Sequence, residues 1–476
     1  MKTPDPQVNS AEWKQFRKVL RELSDEVGSV PKATPTTVVN HRNSMKKRRF
    51  GKGMEIYLRE GVAAKHSYIT MMPKLEFYDS EKIPLKEDRG IQYRSPVYNA
   101  ALARHLHHVE EQLYKTIKNV DGTPVFAKGY SPMERALIID AMASRFKEPM
   151  FLLADHHRFD AHVNGPLLDE EHRFYLRCRR WNLELRQLLE WQKKNKGVSH
   201  GGGRYRMRAK RMSGDLNTSL GNSVINYGVL KAFCKHFNID ASMFIDGDDS
   251  IMIMEKQHLP DLVAFAEKFG LVTEVEVVHD IRHAEFCQSR IIYLEKGPIM
   301  VRNPWKIMDC MCKSPRKLRP EQARGVLAAT ALCELMQSPG VPVIAPCASA
   351  LLTYAGGKPM FITPTAWGKF QGWQTDQIVD IVDESARADL EFAWGMTISE
   401  QLMMEEHYKH YAREGVTIQM PNPKSKPKEI EFEIWDAYQT QYQPTEVRRW
   451  WRDRWEISQY LPPLDPEAVY YAELLG

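Results

Sequence analysis

The stretch from Ser242 to Met254 constrains this chain more than any other. Two apolar runs, Ser242 to Ile245 and Ser250 to Met254, flank Asp246, Gly247, Asp248 and Asp249. Apolar runs on either side of an Asp/Gly turn predict a β-hairpin, with Asp248 and Asp249 at its tip. A separate apolar run, Met150 to Ala154, reads as a buried strand that ends on Asp155. A strand end beside a tight hairpin can bring three carboxylates together on rigid elements. Moving a phosphoryl group between oxygens is helped by two divalent cations about 3.5–4 Å apart, and these require hard oxygen ligands. A Gly-Asp-Asp string alone is equally well a solvated turn. Its weight comes from its neighbours in order: Asp155 with Asp160, then Ser213 to Ser223, then Gly247 to Asp249.

The chain has 476 residues, enough for more than one lobe, and a net charge of only +5. Bulk charge therefore announces no nucleic-acid partner, but its distribution does more. Basic residues cluster at Lys46 to Arg49, Arg204 to Arg211, and Arg448 with Arg449. In the second cluster Arg204, Arg206, Arg208 and Lys210 alternate with Tyr205, Met207 and Ala209. That is strand periodicity with one basic face, suited to a phosphate backbone. The 7 cysteines are odd in number, which argues against a disulfide framework. Neither Cys310 with Cys312 nor His156 with His157 has partners at zinc-ligand spacing. The N-terminus is polar and resembles no secretory signal. Leu335 to Gly357 is uncharged but holds Pro339, Pro342 and Pro346, a poor pattern for a spanning helix.

Apolar spacing predicts helices over Lys14–Val27, Tyr98–Lys115, Leu167–Asn195, Leu220–Phe237 and Leu259–Phe269, and a strand over Leu271–Val278. Gly28 to Gly53 reads as extended chain or loop, and the chain after Pro304 as helical, with loops near Pro339 to Pro346 and Pro421 to Pro427. Ser213 to Ser223 reads as a loop running into a helix, and the tail carries Trp450, Trp451 and Trp455.

From about Lys74 to Ser289 the sequence resembles the RNA-dependent RNA polymerases of positive-strand RNA viruses, nearest to the tombusvirus-like group. The run Ser213 to Asn222 carries the resemblance best, with Phe286 to Ser289 and the Asp155 and Asp248 motifs. The resemblance implies an α+β right hand: an antiparallel palm sheet backed by helices, with a mostly helical thumb. Fingers would occupy 1–149 and 180–211, the palm 150–179 and 212–300, and the thumb and tail 301–476. Asp155, Asp248 and Asp249 would hold Mg2+, with Mn2+ able to substitute, and Asp249 would tolerate substitution best. Lys86, Arg89 and Arg94 resemble the basic motif of the nucleotide entry tunnel, with Arg89 the first choice for a triphosphate contact. Asp160, Ser213, Thr218 and Asn222 would read the ribose 2′-hydroxyl, the group that separates RNA from DNA. Arg204, Arg206, Arg208 and Lys210 would meet RNA, and Cys287 with Gln288 would support the nascent 3′ end. Lys268, His279 and Arg282 are candidates for a general acid.

The implied partners are RNA template and product, NTPs, and a separate or upstream viral replication protein providing membrane attachment. The implied location is the host cytoplasm, at membrane-associated replication complexes. Two rivals remain: a reverse transcriptase, and a non-catalytic RNA-binding replication subunit.

Overall fold

Strict alternation along the Asp155 strand fixes which side of a sheet each residue faces. The computed structural model describes residues 3–42, 44–74, 89–314, 317–361, 381–410 and 412. Lys86 and the tail tryptophans lie outside the described residues. The strands in chain order are β1 (Ile69–Pro73), β2 (Gly90–Arg94), β3 (Pro149–His156), β4 (Lys194–Ser199), β5 (Arg204–Arg208), β6 (Ala241–Asp246), β7 (Asp249–Glu255), β8 (Thr273–Val278), β9 (Ser289–Leu294) and β10 (Gly297–Arg302).

The central sheet has order β6-β7-β3-β8, and its neighbours are antiparallel. Met150, Leu152 and Ala154 of β3 join Met243, Ile245, Met252 and Met254 in one core. Helices Ala11–Val27, Pro96–Thr116, Gly165–Cys178 and Thr218–His236 pack on that side. Phe151 and Leu153 point the other way, with Phe244, Ile251 and Ile253, into a smaller core. There they meet helix Pro132–Ala143 and the β9–β10 hairpin. With both faces covered, a one-residue register slip would turn each apolar set toward the wrong core, so the hairpin position is tightly specified.

A second sheet, β2-β1-β4-β5, draws on distant parts of the chain. β1 pairs parallel to β4, so residues 69–73 and 194–199 form one structural unit. A third core surrounds the helices after Pro304, among them Pro320–Gln337, Ile344–Ala355 and Arg387–Trp394. The described fold is thus mixed α and β with mainly antiparallel sheets. Among the described residues no helix is long and apolar enough to cross a membrane. The 7 cysteines are all free.

Two local expectations differ. Gly28 to Gly53 is irregular only as far as Thr34; beyond it come helix Pro35–Asn40 and the start of helix Ser44–Glu60, which carries the Lys46–Arg49 cluster. Thr34 caps the first helix by accepting from the Thr37 N–H, and Pro35 sits in its first turn, where the missing N–H costs nothing. Leu167 to Asn195 is not one helix. It breaks after Cys178, where Arg180 (φ 48°) and Trp181 (φ 56°) turn left-handed. The Asn182 side chain then caps Leu183–Gln192, and β4 begins at Lys194.

Candidate active site

The hairpin turn places its carboxylates through one glycine. Asp246 pairs with Asp249 across the β6–β7 hairpin, leaving Gly247 and Asp248 as a two-residue connection. Gly247 has φ +70°, the left-handed first position that tight hairpin turns reserve for glycine. The turn is held from behind by helix Thr218–His236. Ser223 Oγ accepts from the Gly247 N–H at 2.9 Å, and Asn226 Nδ2 donates to the Gly247 and Asp248 carbonyls at 3.2 and 3.0 Å. His156, the residue after Asp155, lies 3.2 Å from Asn226 Oδ1 and 2.8 Å from Thr273 Oγ1. Burial holds the His156 ring down to about 4, so it is neutral at pH 7 and donates to Asn226 through Nε2–H. The two aspartate motifs are therefore tied together through Asn226.

β3 pairs with β7 in a register that sets Ala154 opposite Ser250. Asp155 and Asp249 are the next residues along the two strands, close enough for the Asp155 charge to act on Asp249. Asp248 and Asp249 open onto solvent, yet partial desolvation and neighbouring carboxylates raise both. For Asp248 the like charges are Asp160 and Asp155, partly offset by Arg89. Asp249 is pushed up to about 6 by desolvation and by Asp248, Asp246 and Asp155. This is an all-oxygen donor set with excess negative charge, which a hard divalent cation would relieve. Arg135 pairs with Asp246 at 2.6 Å and takes up one of the surplus carboxylates.

Behind the aspartates lies a buried polar network. Asn222 donates to Asp160 Oδ1 at 2.8 Å and accepts from Arg211 Nε at 3.1 Å. Arg211 is paired with Glu171, both fully buried. Glu171 also accepts from the Tyr175 hydroxyl at 2.8 Å and from Asn217 at 3.1 Å. Gly221 makes room for this pair: a Cβ there would sit 2.2 Å from Glu171 Oε1 and 2.4 Å from Arg211 Nη2. A buried ion pair is stable only when its remaining hydrogen bonds are met, and here they are met largely by the Ser213–Asn222 motif and its neighbours. The short helix Phe159–His162, entered through left-handed Arg158 (φ 47°), carries Asp160.

Several expected residues have other settings. Arg94 is 1% exposed, with its guanidinium committed to Asp215 at 2.6 Å, Asn195 at 2.6 Å and the Ser67 carbonyl at 2.6 Å. It cannot face a triphosphate in this arrangement, and instead braces the Ser213–Asn222 motif against β2 and β4. Ser213 donates to the Gly90 carbonyl at 3.0 Å, and Thr218 to the Met212 carbonyl at 2.9 Å, so both shape the loop. Along β5 the alternation is as read: Arg204, Arg206 and Arg208 are exposed and Tyr205 and Met207 half-buried. Lys210 lies past the strand and donates to the Ala161 carbonyl at 2.8 Å, so it leaves the basic face. Arg282 is engaged by Asp280 and Asp389, both at 2.9 Å.

Phe286 and Ser289 exchange both backbone hydrogen bonds, at 2.9 and 3.0 Å. Between them Cys287 (φ 51°) and Gln288 (φ 58°) are both left-handed. Asn-Gly is usual in such a turn, and each ordinary residue costs about 1–2 kcal/mol there. The turn sets the Cys287 thiol beside Asp249, and Gln288 accepts from Lys306 Nζ at 3.0 Å. Burial and the Asp249 charge push the thiol up, so it is no thiolate.

Sequence reading gave Asn226, Ser223 and Glu171 no role and weighed His156 only as a zinc ligand. A signal for the first two existed: Asn222, Ser223 and Asn226 are polar residues on one side of an otherwise apolar helix, where burial demands partners.

The family described as viral RNA-dependent RNA polymerase matches residues 1–415 of the chain. This chain belongs to that family. The RNA-directed RNA polymerase of Tomato bushy stunt virus (strain Cherry) is 29% identical over 437 residues, covering 88% of this chain and 53% of that protein. That of Cucumber necrosis virus is 30% identical over 445 residues, with the same coverages of 88% and 53%. That of Pothos latent virus (isolate Pigeonpea/India) is 37% identical over 247 residues, 50% of this chain and 33% of that protein. The chain spans about half the length of the first two relatives.

Proposed function

We propose that this chain carries out template-directed transfer of nucleotidyl groups from NTPs to an RNA 3′ end, replicating a viral positive-strand genome. The observation that carries the reading is the mutual charge coupling of Asp155, Asp248 and Asp249, carried by the end of β3 and the β6–β7 turn of one sheet. When bound by these carboxylates, two Mg2+ ions, or Mn2+ in their place, supply positive charge to the attacking and leaving oxygens. Asp155 and Asp248 are the indispensable ligands, and Asp249, pushed up to about 6 by desolvation and neighbouring carboxylates, tolerates substitution best.

The remaining residues position the reactants. Asp160 and Asn222, joined by a 2.8 Å hydrogen bond, present a donor and acceptor to the ribose 2′-hydroxyl. Ser213 and Thr218 hold the loop that delivers Asn222. Arg89, whose charge reaches Asp248, meets the triphosphate, with Lys86 beside it in sequence. Arg94 is a positioning residue. The exposed arginines of β5 track template or product backbone, and Cys287 with Gln288 steadies the nascent end. Lys268 and His279 are the candidates left for protonating pyrophosphate.

In this reading the central sheet is the palm (150–179 and 212–300). The β1–β4 pairing supports assigning 1–149 and 180–211 to one fingers lobe. Within that lobe, helices Ala11–Val27 and Pro132–Ala143 pack against the palm sheet's two cores. Residues 301–476 form the thumb and tail. Membrane attachment comes from a separate or upstream viral replication protein, which places the enzyme at membrane-associated complexes in the host cytoplasm.

Asp248→Asn is the direct test. It should abolish metal-dependent nucleotide addition on an RNA template while RNA binding persists. Continued elongation would overturn the catalytic reading and favour an RNA-binding subunit. Preference for dNTPs over NTPs would favour a reverse transcriptase.

A further inference from the structure

Away from the aspartates, three side chains meet that the polymerase reading does not use. His41, His107 and Glu111 each offer a ligand atom within 4.8 Å of the other two. His107 and Glu111 are four residues apart on helix Pro96–Thr116, hence on one face. His41 follows helix Pro35–Asn40 and reaches the same spot from a different element. The His41 and His107 rings stand edge to face, their centroids 4.8 Å apart. His107 Nε2 lies 3.2 Å from Glu111 Oε1, and His108 Nδ1 lies 2.8 Å from Glu111 Oε2. One carboxylate oxygen is thus held in place while the other faces the histidine pair.

The scaffold around the trio is clamped. The Ala33 N–H donates to the Arg104 carbonyl at 2.7 Å, and Arg104 Nε returns a bond to the Ala33 carbonyl at 2.9 Å. One other charge borders the group: Arg42, which acts on His107 and stacks on the Phe50 ring at 4.4 Å.

We propose that His41, His107 and Glu111 form a binding site for a first-row transition-metal ion, best matched by Zn2+. Bound there, the ion would fasten the segment carrying His41 to helix Pro96–Thr116. Two imidazole nitrogens and one carboxylate oxygen are a donor set that Zn2+ accepts and Mg2+, which prefers oxygen alone, does not. Ligand bonds of about 2.0–2.2 Å require the donor atoms to close to about 3.3 Å in tetrahedral geometry. His107 Nε2 and Glu111 Oε1 already lie 3.2 Å apart, so the closing movement falls to the exposed His41 ring. The fourth position is open to water. His108, bonded to the second oxygen of Glu111, orients the carboxylate as outer-sphere partners of metal ligands do.

The site is independent of nucleotide addition, so its test reads metal directly. The purified chain, kept in excess Mg2+, is titrated with Co2+ as a spectroscopic probe and then with Zn2+. One equivalent of Co2+ should give a visible absorption band that Zn2+ bleaches and further Mg2+ does not. Zn2+ should raise the melting temperature. His41→Ala and Glu111→Gln should each weaken that binding at least about 10-fold and remove the thermal shift. Both replaced side chains are exposed, so the metal-free melting temperature of each variant should match that of the parent. Unchanged Zn2+ affinity in both variants would overturn the proposal. So would loss of the binding on replacing Cys310 and Cys312 by Ser.

Discussion

At the residue scale, single atoms decide what the aspartate site can hold. Asn222 spends its oxygen on Arg211 and its amide on Asp160, so its orientation is set before any substrate arrives. Removing a hydrogen-bonding group that reads a hydroxyl forfeits about 1.5–3 kcal/mol where a charge is involved. Asn222→Ala should therefore lower the preference for NTP over dNTP by about 10- to 100-fold. Incorporation rates measured side by side on one RNA template check this. An unchanged ratio would remove Asn222 from sugar recognition. The sequence alone made Asn222 a candidate, through the motif that contains it. It could not reveal that Asp160, 62 residues earlier, is its partner.

At the element scale, the segment Ser213–Asn222 is braced by charge pairs, and β5 presents charge to solvent. Arg94 and Asp215 are both almost wholly buried, and a buried pair broken on one side typically costs about 3–5 kcal/mol. Asp215→Ala should destabilise the chain by about that amount in denaturant unfolding. It should also raise KM for NTPs, because the loop delivering Asn222 loses its brace. β5 behaves differently, since Arg206 and Arg208 are exposed and free of structural duty in the sheet core. Replacing both by Gln should leave stability unchanged and flatten the salt dependence of RNA binding. Each lost phosphate contact lowers the log–log slope by about 0.7–0.9. A slope equal to that of the parent would detach β5 from RNA. The alternation of β5 was legible because period two is a local property. The ends of the strand were not: Lys210 continues the pattern in sequence, but the chain leaves the sheet before it.

At the scale of the whole molecule, burial of histidine sets the response to acid. His66, His105 and His156 are each held down to about 4 by burial, and His172 lies well below its ordinary 6.5 for the same reason. A histidine depressed in the fold adds stability that is complete above pH 6.5 and lost as pH falls toward the folded value. Asp249 acts in the opposite sense. Raised from 3.8 to about 6, it adds stability only at low pH, and this is lost as pH rises through 6. Four histidines outweigh it, so the melting temperature should fall steadily from pH 6.5 to 4.5. Asp249→Asn removes the opposing contribution and should make that fall steeper. A melting temperature that is flat across this range would contradict the assignment.

What the sequence settled was local. Continuous apolar runs in Met150–Ala154 and on both sides of the turn within Ser242–Met254 specified strands buried on both faces, and Gly247 specified the turn that exposes Asp248 and Asp249. Periodicity encodes which way a side chain points, and this requires no knowledge of the partner. The partners came only with the tertiary structure: Glu171 behind Arg211, Asp215 behind Arg94, Asn226 under the hairpin turn, His41 beside His107. A buried arginine and a solvated one look alike in sequence, because burial depends on which distant elements pack together. For that reason Arg94 read as a triphosphate contact while its guanidinium lies buried against Asp215 and Asn195, and the basic run at Lys46–Arg49 read as extended chain or loop and proved to be helix.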